Sequence, residues 1–130
     1  NTMTTELSML AWATGLTGIL WVPYVLAYVQ LSGVMNVLKY DPFPDLPDWV
    51  ERAKAHHRNS VENLVIFAAL IITAHLANDN NAATASAAII YFWSRVAHLI
   101  VHYAGLPYLR TVTWFVSWLA MLCIFYQIVT

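Results

Sequence analysis

Long uncharged stretches constrain the fold of this chain more than any other feature. The first runs from Leu7 to about Met35 and is longer than the ~20 residues that a helix needs to cross a ~30 Å hydrocarbon layer. Because lipid offers the backbone no hydrogen-bond partners, such a stretch can cross it only as a helix or in a closed barrel. With 60% hydrophobic and 10% charged residues among 130, the sequence predicts one all-α integral membrane domain over residues 1–130.

A second stretch, Leu64 to Leu76, is too short to span a bilayer by itself. Its 13 residues leave several turns to be supplied, and the turn-forming cluster 77–82 blocks an extension downstream. The missing turns must come from the polar block Glu51–Asn63 immediately upstream. We therefore expect Asp48 to act as the N-cap of this helix, with Glu51 as its capping-box partner.

The remaining segments complete a four-helix up-and-down bundle. Lys39–Asp48 carries three prolines and three acids, a composition that predicts an irregular connector. Gly105 and Pro107 separate the last two apolar segments. Pro23 should kink the first span. The predicted spans are 7–35, 57–77, 82–103 and 109–129.

The positions of Lys and Arg predict an orientation. The first loop and its flank hold Lys39, Arg52, Lys54 and Arg58, the third loop holds Arg110, and the second loop holds neither residue type. Loops rich in Lys and Arg stay in the cytoplasm. The sequence thus predicts both termini on the outer side of the membrane, and it shows no basic leader typical of a removable signal peptide.

Several classes of function are disfavoured by composition. The net charge is −1 and no run of basic residues occurs, so nucleic acid is not an expected partner. The one cysteine, Cys123, lies in an apolar stretch and predicts neither a disulfide framework nor a cysteine-based zinc site. The aromatic residues at 91–93 and Trp114 and Trp118 are typical of packing and membrane-interface positions rather than of a cofactor site.

Polar residues recur along one face of the third span. Tyr91, Arg95, His98 and His102 follow helical spacing, and Arg95 lies about 12 Å below the end of the helix at 1.5 Å per residue. An arginine at that depth costs about 3 kcal/mol or more unless it finds a partner in the bundle. Glu62, which shares a face of the second span with Arg58, is the expected partner.

An isolated ion pair would leave the other polar groups at this depth unexplained. Arg58, Asn59, His98 and Arg110 cluster with the pair near the cytoplasmic side. Several guanidinium groups, an amide and a carboxylate beside lipid suit a small polar anion together with an apolar substrate. A thiol peptide fits: its carboxylates would bind arginines, its amine would bind Glu62, and a further cation would stabilise its thiolate.

The histidines allow an alternative interpretation, in which the polar residues bind a metal ion or haem instead of a thiol peptide. His98 and His102 are spaced as i, i+4 and could share a metal ion. However, His56 and His57 are expected at the membrane interface and His75 near the opposite surface, so no matching histidine is predicted at the same depth. On this reading neither a metal nor haem is expected, and Arg95 further disfavours a cation.

Three motifs together resemble one family. They are the pattern Glu51-Arg52-x4-His57-Arg58-Asn59-x2-Glu62-Asn63, then Arg95-Val-Ala-His98, then Leu106-Pro-Tyr-Leu-Arg110-Thr111. Over about residues 10–130 the chain resembles the MAPEG family, membrane-associated proteins in eicosanoid and glutathione metabolism, and looks closest to its bacterial members.

The resemblance implies a homotrimer in the bacterial inner membrane, with glutathione bound as co-substrate between subunits near the cytoplasmic side. The second substrate would be a lipophilic molecule that enters from the membrane lipid. The positions that match the family's glutathione-holding motifs are Arg58, Asn59, Glu62, Arg95 and His98. Arg110 matches the arginine thought to stabilise the thiolate, while Thr111, His102 and Tyr103 are further candidates.

The sequence departs from the family pattern in three places. Ala55 stands where the family often has an arginine, Asn36 and Lys39 are closest to another arginine position, and His102 replaces a common tyrosine. The leading hypothesis is a glutathione transferase or peroxidase. A non-catalytic lipid- or glutathione-binding protein and a small transporter remain as alternatives.

Overall fold

The computed structural model describes residues 3–39 and 46–130. These residues form six α-helices: α1 Thr5–Gly18, α2 Trp21–Ser32, α3 Val34–Leu38, α4 Asp48–Leu76, α5 Ala82–Ala104 and α6 Pro107–Val129. Four helical segments are long and apolar enough to cross a membrane: Thr5–Ser32, α4, α5 and α6. The expected all-helical bundle of four membrane helices is confirmed.

The first span is interrupted near its middle. A turn at Ile19–Leu20 separates α1 from α2, with the Ile19 N–H bonded to the Leu16 carbonyl and the Leu20 N–H to the Thr17 carbonyl. Pro23 has no N–H, and its ring would collide with the carbonyl four residues earlier, that of Ile19. The discontinuity expected from Pro23 is therefore present, one turn upstream of the proline itself.

Helix α4 begins with a different cap from the predicted one. Pro47, with φ −56° and ψ 150°, occupies the cap position and no side chain caps the helix. Its carbonyl accepts hydrogen bonds from the N–H groups of Val50 and Glu51. The predicted capping box is therefore wrong: Asp48 is already helical, and its carboxylate lies with that of Glu51 in the first turn, where acids favour the helix dipole.

The polar block Glu51–Asn63 lies wholly inside α4. The helix is continuous over 29 residues, as the short length of Leu64–Leu76 required. In the preceding connector, predicted over 39–48, residues 40–45 lie outside the described residues.

The ends of α5 are well defined. At its start the Asn81 side chain accepts from the Thr84 N–H while the Thr84 hydroxyl accepts from the Asn81 N–H, a reciprocal capping box. At its end Gly105 is left-handed, with φ +76°. The Arg52 Nε donates to the Tyr103 carbonyl at 3.1 Å, so a cation from α4 stabilises the negative end of the α5 dipole.

Helix α5 is central to the bundle, since it packs against α1, α4 and α6. Its core contact is a parallel stack of Tyr91 on Phe67 of α4, with ring centroids 3.8 Å apart. Small residues surround this stack, including Ala87, Ala88 and Ala120, and allow the helices to approach closely. The prediction that Tyr91 serves packing is confirmed, and the interlocked α4 and α5 fix the geometry of the polar groups described next.

Candidate functional site

A polar pocket of about 390 Å³ lies between α4, α5 and α6. It is lined by Ala55, Arg58, Asn59, Glu62, His98, His102, Arg110, Thr111 and Trp114. Seven of the nine site residues predicted from sequence therefore surround one cavity. Arg95 and Tyr103 are not part of its lining.

The α4 wall of the pocket follows directly from helical spacing. Residues 55, 58, 59 and 62 recur at intervals of three or four and so share one helix face. Within the described part of the chain, no hydrogen bond engages the guanidinium group of Arg58 or the carboxylate of Glu62. Both side chains are exposed in the single chain, which leaves them free to bind a ligand.

The α6 wall combines a cation with a helix N-terminus. Pro107 is the first residue of α6, a position where its missing N–H costs nothing. Arg110 and Thr111 lie in the first turns, and the Thr111 hydroxyl donates to the Pro107 carbonyl at 3.2 Å. The guanidinium group and the positive end of the α6 dipole both favour an anion here.

Arg95 lies behind the pocket, and its partners differ from the expected one. Its side chain is 4% exposed, and its Nη2 donates to the Asn59 Oδ1 and the Ser60 Oγ, both at 2.8 Å. Within residues 3–39 and 46–130, its Nε and Nη1 find no hydrogen-bond partner. The predicted Arg95–Glu62 ion pair is therefore wrong, because neutral acceptors of α4 lie closer along the inward face of that helix.

The inward stripe on α5 is confirmed, since Tyr91, Arg95, His98 and His102 are all buried. The expected position of His56 is wrong. It is 1% exposed, and its Nδ1 lies 2.9 Å from the His98 Nδ1. His57, the next residue, instead contacts the Tyr24 hydroxyl at 2.7 Å. The sequence did not separate these neighbours, because both precede the apolar part of α4.

Tyr103 lies on another side of α5. It lines an apolar cavity with residues of α1 and α2, and no described residue forms a hydrogen bond with its buried hydroxyl.

An apolar groove continues from the polar pocket. It has a volume of about 390 Å³ and is lined by Asn63, Ile66, Leu70, Trp114, Trp118, Met121, Leu122 and Phe125. Trp114 belongs to both cavities. The sequence pattern predicts a packing or interface role for Trp114 and does not indicate that it lines the pocket. Its spacing of four residues from Arg110, which places both on one face of α6, could have indicated this role.

Comparison with known proteins agrees with this architecture. A sequence model of the MAPEG family matches residues 9–130, nearly the whole chain. No curated protein and no solved structure matches the chain. The family match covers three membrane helices in full, most of the first and every residue of the polar pocket, and on this basis the chain belongs to the MAPEG family.

Proposed function

We propose that this protein is a membrane-bound glutathione transferase that joins glutathione to lipophilic electrophiles or uses it to reduce lipophilic hydroperoxides. The observation that carries the proposal is the polar pocket opening beside an apolar groove, with Trp114 common to both. A charged peptide and a lipophilic molecule would meet at this boundary. Family membership supports the same assignment.

The pocket supplies a group for each charged part of glutathione. Arg58 and Asn59 would bind a carboxylate, Glu62 would bind the α-amine, and His98 would contact the peptide from α5. Arg110 would stabilise the thiolate, helped by the N-terminus of α6. Thr111 and His102 are secondary contacts.

Arg95 acts in this proposal as a positioning residue. Its two hydrogen bonds hold the Asn59 amide and the Ser60 hydroxyl, so it orients the α4 wall without lining the pocket. Tyr103, outside the pocket, has no assigned contact with glutathione.

In the proposed reaction the thiolate sulfur is the nucleophile, and it attacks an electrophilic carbon or a hydroperoxide oxygen. In conjugation the thiolate forms a carbon–sulfur bond while the electrophile loses its leaving group with the bonding electron pair. In hydroperoxide reduction two glutathione molecules give one disulfide, one alcohol and one water. In both cases stabilising the thiolate lowers the thiol pKa and raises the concentration of the nucleophile.

The exposure of the charged groups supports assembly of several chains. Arg58, Glu62 and Arg110 are exposed in the single chain, although they belong to helices apolar enough to span a membrane. Contact of such groups with lipid is costly. We infer that a neighbouring chain covers the pocket in a homotrimer, with the pocket on the cytoplasmic side of a bacterial inner membrane and both termini in the periplasm.

The direct test is glutathione binding and turnover by purified protein in detergent. Calorimetry with glutathione and conjugation of chlorodinitrobenzene are the two measurements. We expect Arg110→Ala to retain glutathione binding but to lower turnover by about 100-fold or more, as for loss of one group that stabilises reacting charge. Absence of both binding and conjugation in the wild-type protein would exclude the proposal.

A non-catalytic binding protein is the second candidate. Ala55 favours it, because this pocket residue leaves one wall without the cation that the family often places there. Binding of glutathione or lipid with no conjugation, unchanged in Arg110→Ala, would select this function instead.

A further inference from the structure

We propose that His56, His98 and His102 form a binding site for a divalent transition-metal ion, of which Zn²⁺ is the best fit. This site goes beyond the proposed glutathione chemistry and does not depend on it. One nitrogen from each of the three rings lies within 4.8 Å of the others. The first histidine comes from α4 and the other two from consecutive turns of α5.

The three rings already form one packed cluster. The His56 and His98 rings stack with centroids 4.9 Å apart, and the His102 ring stands edge-on to both at 5.4 and 5.2 Å. Their exposed fractions are 1%, 2% and 5%. Each buried ring nitrogen needs a partner, so the way in which the nitrogens of these three rings are satisfied needs an explanation.

The nitrogen separations are close to those of a metal site. With zinc–nitrogen bonds of about 2.0–2.1 Å, two ligands of a tetrahedral ion lie about 3.3 Å apart. The Nδ1 atoms of His56 and His98 are 2.9 Å apart, so they need to separate by only about 0.4 Å. Rotation of the His102 ring brings the third nitrogen into range.

Hydrogen bonding in the cluster is incomplete without a further partner. The His102 Nδ1 is buried and has no hydrogen-bond partner among the residues that the structure describes. The His56 Nε2 lies 3.2 Å from the Ser60 hydroxyl, an arrangement in which Nε2–H can donate and leave the Nδ1 lone pair facing His98. Metal-bound histidines are held in this way, with the second ring nitrogen bonded to a neighbouring polar group.

Charge balance requires an anion as the fourth ligand. Three neutral imidazoles leave the charge of the ion uncompensated, and the Arg95 guanidinium group lies beside the cluster. Its Nη2 donates to Asn59 and to Ser60, whose hydroxyl also lies 3.2 Å from the His56 Nε2, so this positive charge adds to the need for an anion. Because His98 and His102 also line the polar pocket, a small anion can enter from the pocket and complete the coordination, as at zinc sites with three protein ligands.

Cobalt(II) binding provides the test, since Co²⁺ occupies zinc sites and its visible absorption reports tetrahedral geometry. Protein in detergent is stripped with a chelator and titrated with Co²⁺ alone, without glutathione. We expect one ion per chain and the intense visible bands of a tetrahedral site. Added Zn²⁺ should displace the cobalt and remove the bands.

His56→Gln and His102→Gln each remove one ligand, and we expect each to weaken cobalt binding by more than the 10–100-fold typical of losing a group that only orients a ligand. His75→Gln is the matched control, because His75 lies on the same helix near its other end. Circular dichroism confirms that each variant is folded.

Cobalt binding equal to wild type in His56→Gln and His102→Gln would overturn the proposed metal site. The proposal would also be overturned if the wild-type protein bound no cobalt or bound it only in octahedral geometry. A histidine cluster that is held by hydrogen bonds alone would give either result. Because cobalt is titrated without glutathione, its result can be distinguished from the result of the glutathione binding test.

Discussion

Among single residues, Ala55 is the most informative position in the polar pocket. It lies one helical turn from Arg58 and Asn59, and its side chain is exposed to the cavity. We expect Ala55→Arg to add a charge-assisted contact to a glutathione carboxylate and to tighten binding about tenfold, or about 1.4 kcal/mol. Calorimetric titration of detergent-solubilised protein measures this change.

Ala55→Met is the control for the new side chain, since it adds similar length without charge. We expect its affinity for glutathione to stay within about threefold of wild type, because an uncharged side chain adds no charge-assisted hydrogen bond to a carboxylate. Equal effects of Arg and Met would show that the gain comes from contact area. No gain with Arg would show that this wall does not face a carboxylate.

Substitution of Arg95 tests whether a buried residue outside the pocket lining affects glutathione binding by orienting Asn59. Arg95→Met removes both hydrogen bonds to α4 and frees the Asn59 amide. We expect the glutathione Kd to rise about tenfold while kcat changes less, because a hydrogen bond to a charged group contributes about 1.5–3 kcal/mol and part of that orients Asn59. Binding calorimetry and steady-state kinetics separate the two effects.

Lys54→Met is the matched control for Arg95→Met. Lys54 is exposed on α4, where its Nζ lies 5.7 Å from the centre of the Tyr28 ring, and it does not line the pocket. Its loss removes the same charge without disturbing Asn59. If both variants weaken binding equally, the effect is long-range electrostatics and Arg95 has no positioning role.

Helical periodicity predicted which residues of one helix share a face, but not which neighbours on the next helix they meet. Arg58 with Glu62 and His98 with His102 were placed correctly by spacing alone. His56 and His57 are about 100° apart on α4, and only the packing of α5 determines that His56 is the inward one. For the same reason Ser60, rather than Glu62, meets Arg95 at close range.

Among the helices, their ends show the limits of local sequence signals. Asp48 followed by Glu51 matched a capping box, yet the preceding Pro47 adopts the extended conformation that a cap requires. Asn81 and Thr84 do form such a box. The sequence did not predict it, because Asn81 is the last of several turn-forming residues and no single one of them stood out as the cap. The length of α4 and the break in the first span were easier to predict. The apolar run in α4 is too short to cross a bilayer unless the polar residues before it are helical, and Pro23 cannot continue a regular helix.

Gly105 links the ends of two helices, and a side chain at this position should destabilise the fold. Its φ is +76°, and a Cβ atom would lie 3.3 Å from the Arg52 Cζ. We expect Gly105→Ala to reduce the free energy of unfolding by about 1 kcal/mol or more, because alanine is strained at positive φ and Arg52 must move from the α5 terminus. Thermal unfolding in detergent, followed by circular dichroism, measures the loss.

Gly15→Ala provides the comparison. Gly15 lies inside α1, and a Cβ atom there would meet nothing within 4 Å. Alanine is favoured over glycine inside a helix by roughly 0.5–1 kcal/mol, so this variant should be as stable as wild type or more so. A lower Tm for Gly15→Ala than for Gly105→Ala would contradict the role given to the left-handed cap.

At the scale of the whole molecule, the surface of the single chain has a large apolar part and a smaller charged part at the polar pocket. Large apolar side chains such as Trp12, Trp93 and Phe125 are exposed along the spans, as expected for helices that face lipid or other chains. The exposed charges of the polar pocket are different, because lipid cannot solvate them. A second protein surface must therefore lie against α4 and α6 if the pocket is to sit within the membrane.

This requirement predicts that glutathione binding and assembly are coupled. In mild detergent we expect a protein mass of three times 14.7 kDa, about 44 kDa, by light scattering corrected for detergent. Conditions that separate the chains while preserving helicity should abolish glutathione binding, because each pocket then loses the neighbour that covers Arg58 and Glu62. Adding glutathione should in turn shift the equilibrium toward the assembled form, since a ligand stabilises the state that binds it. A single chain that binds glutathione as tightly as the assembly would show that one subunit completes the pocket alone, and the exposed charges would then need a different cover.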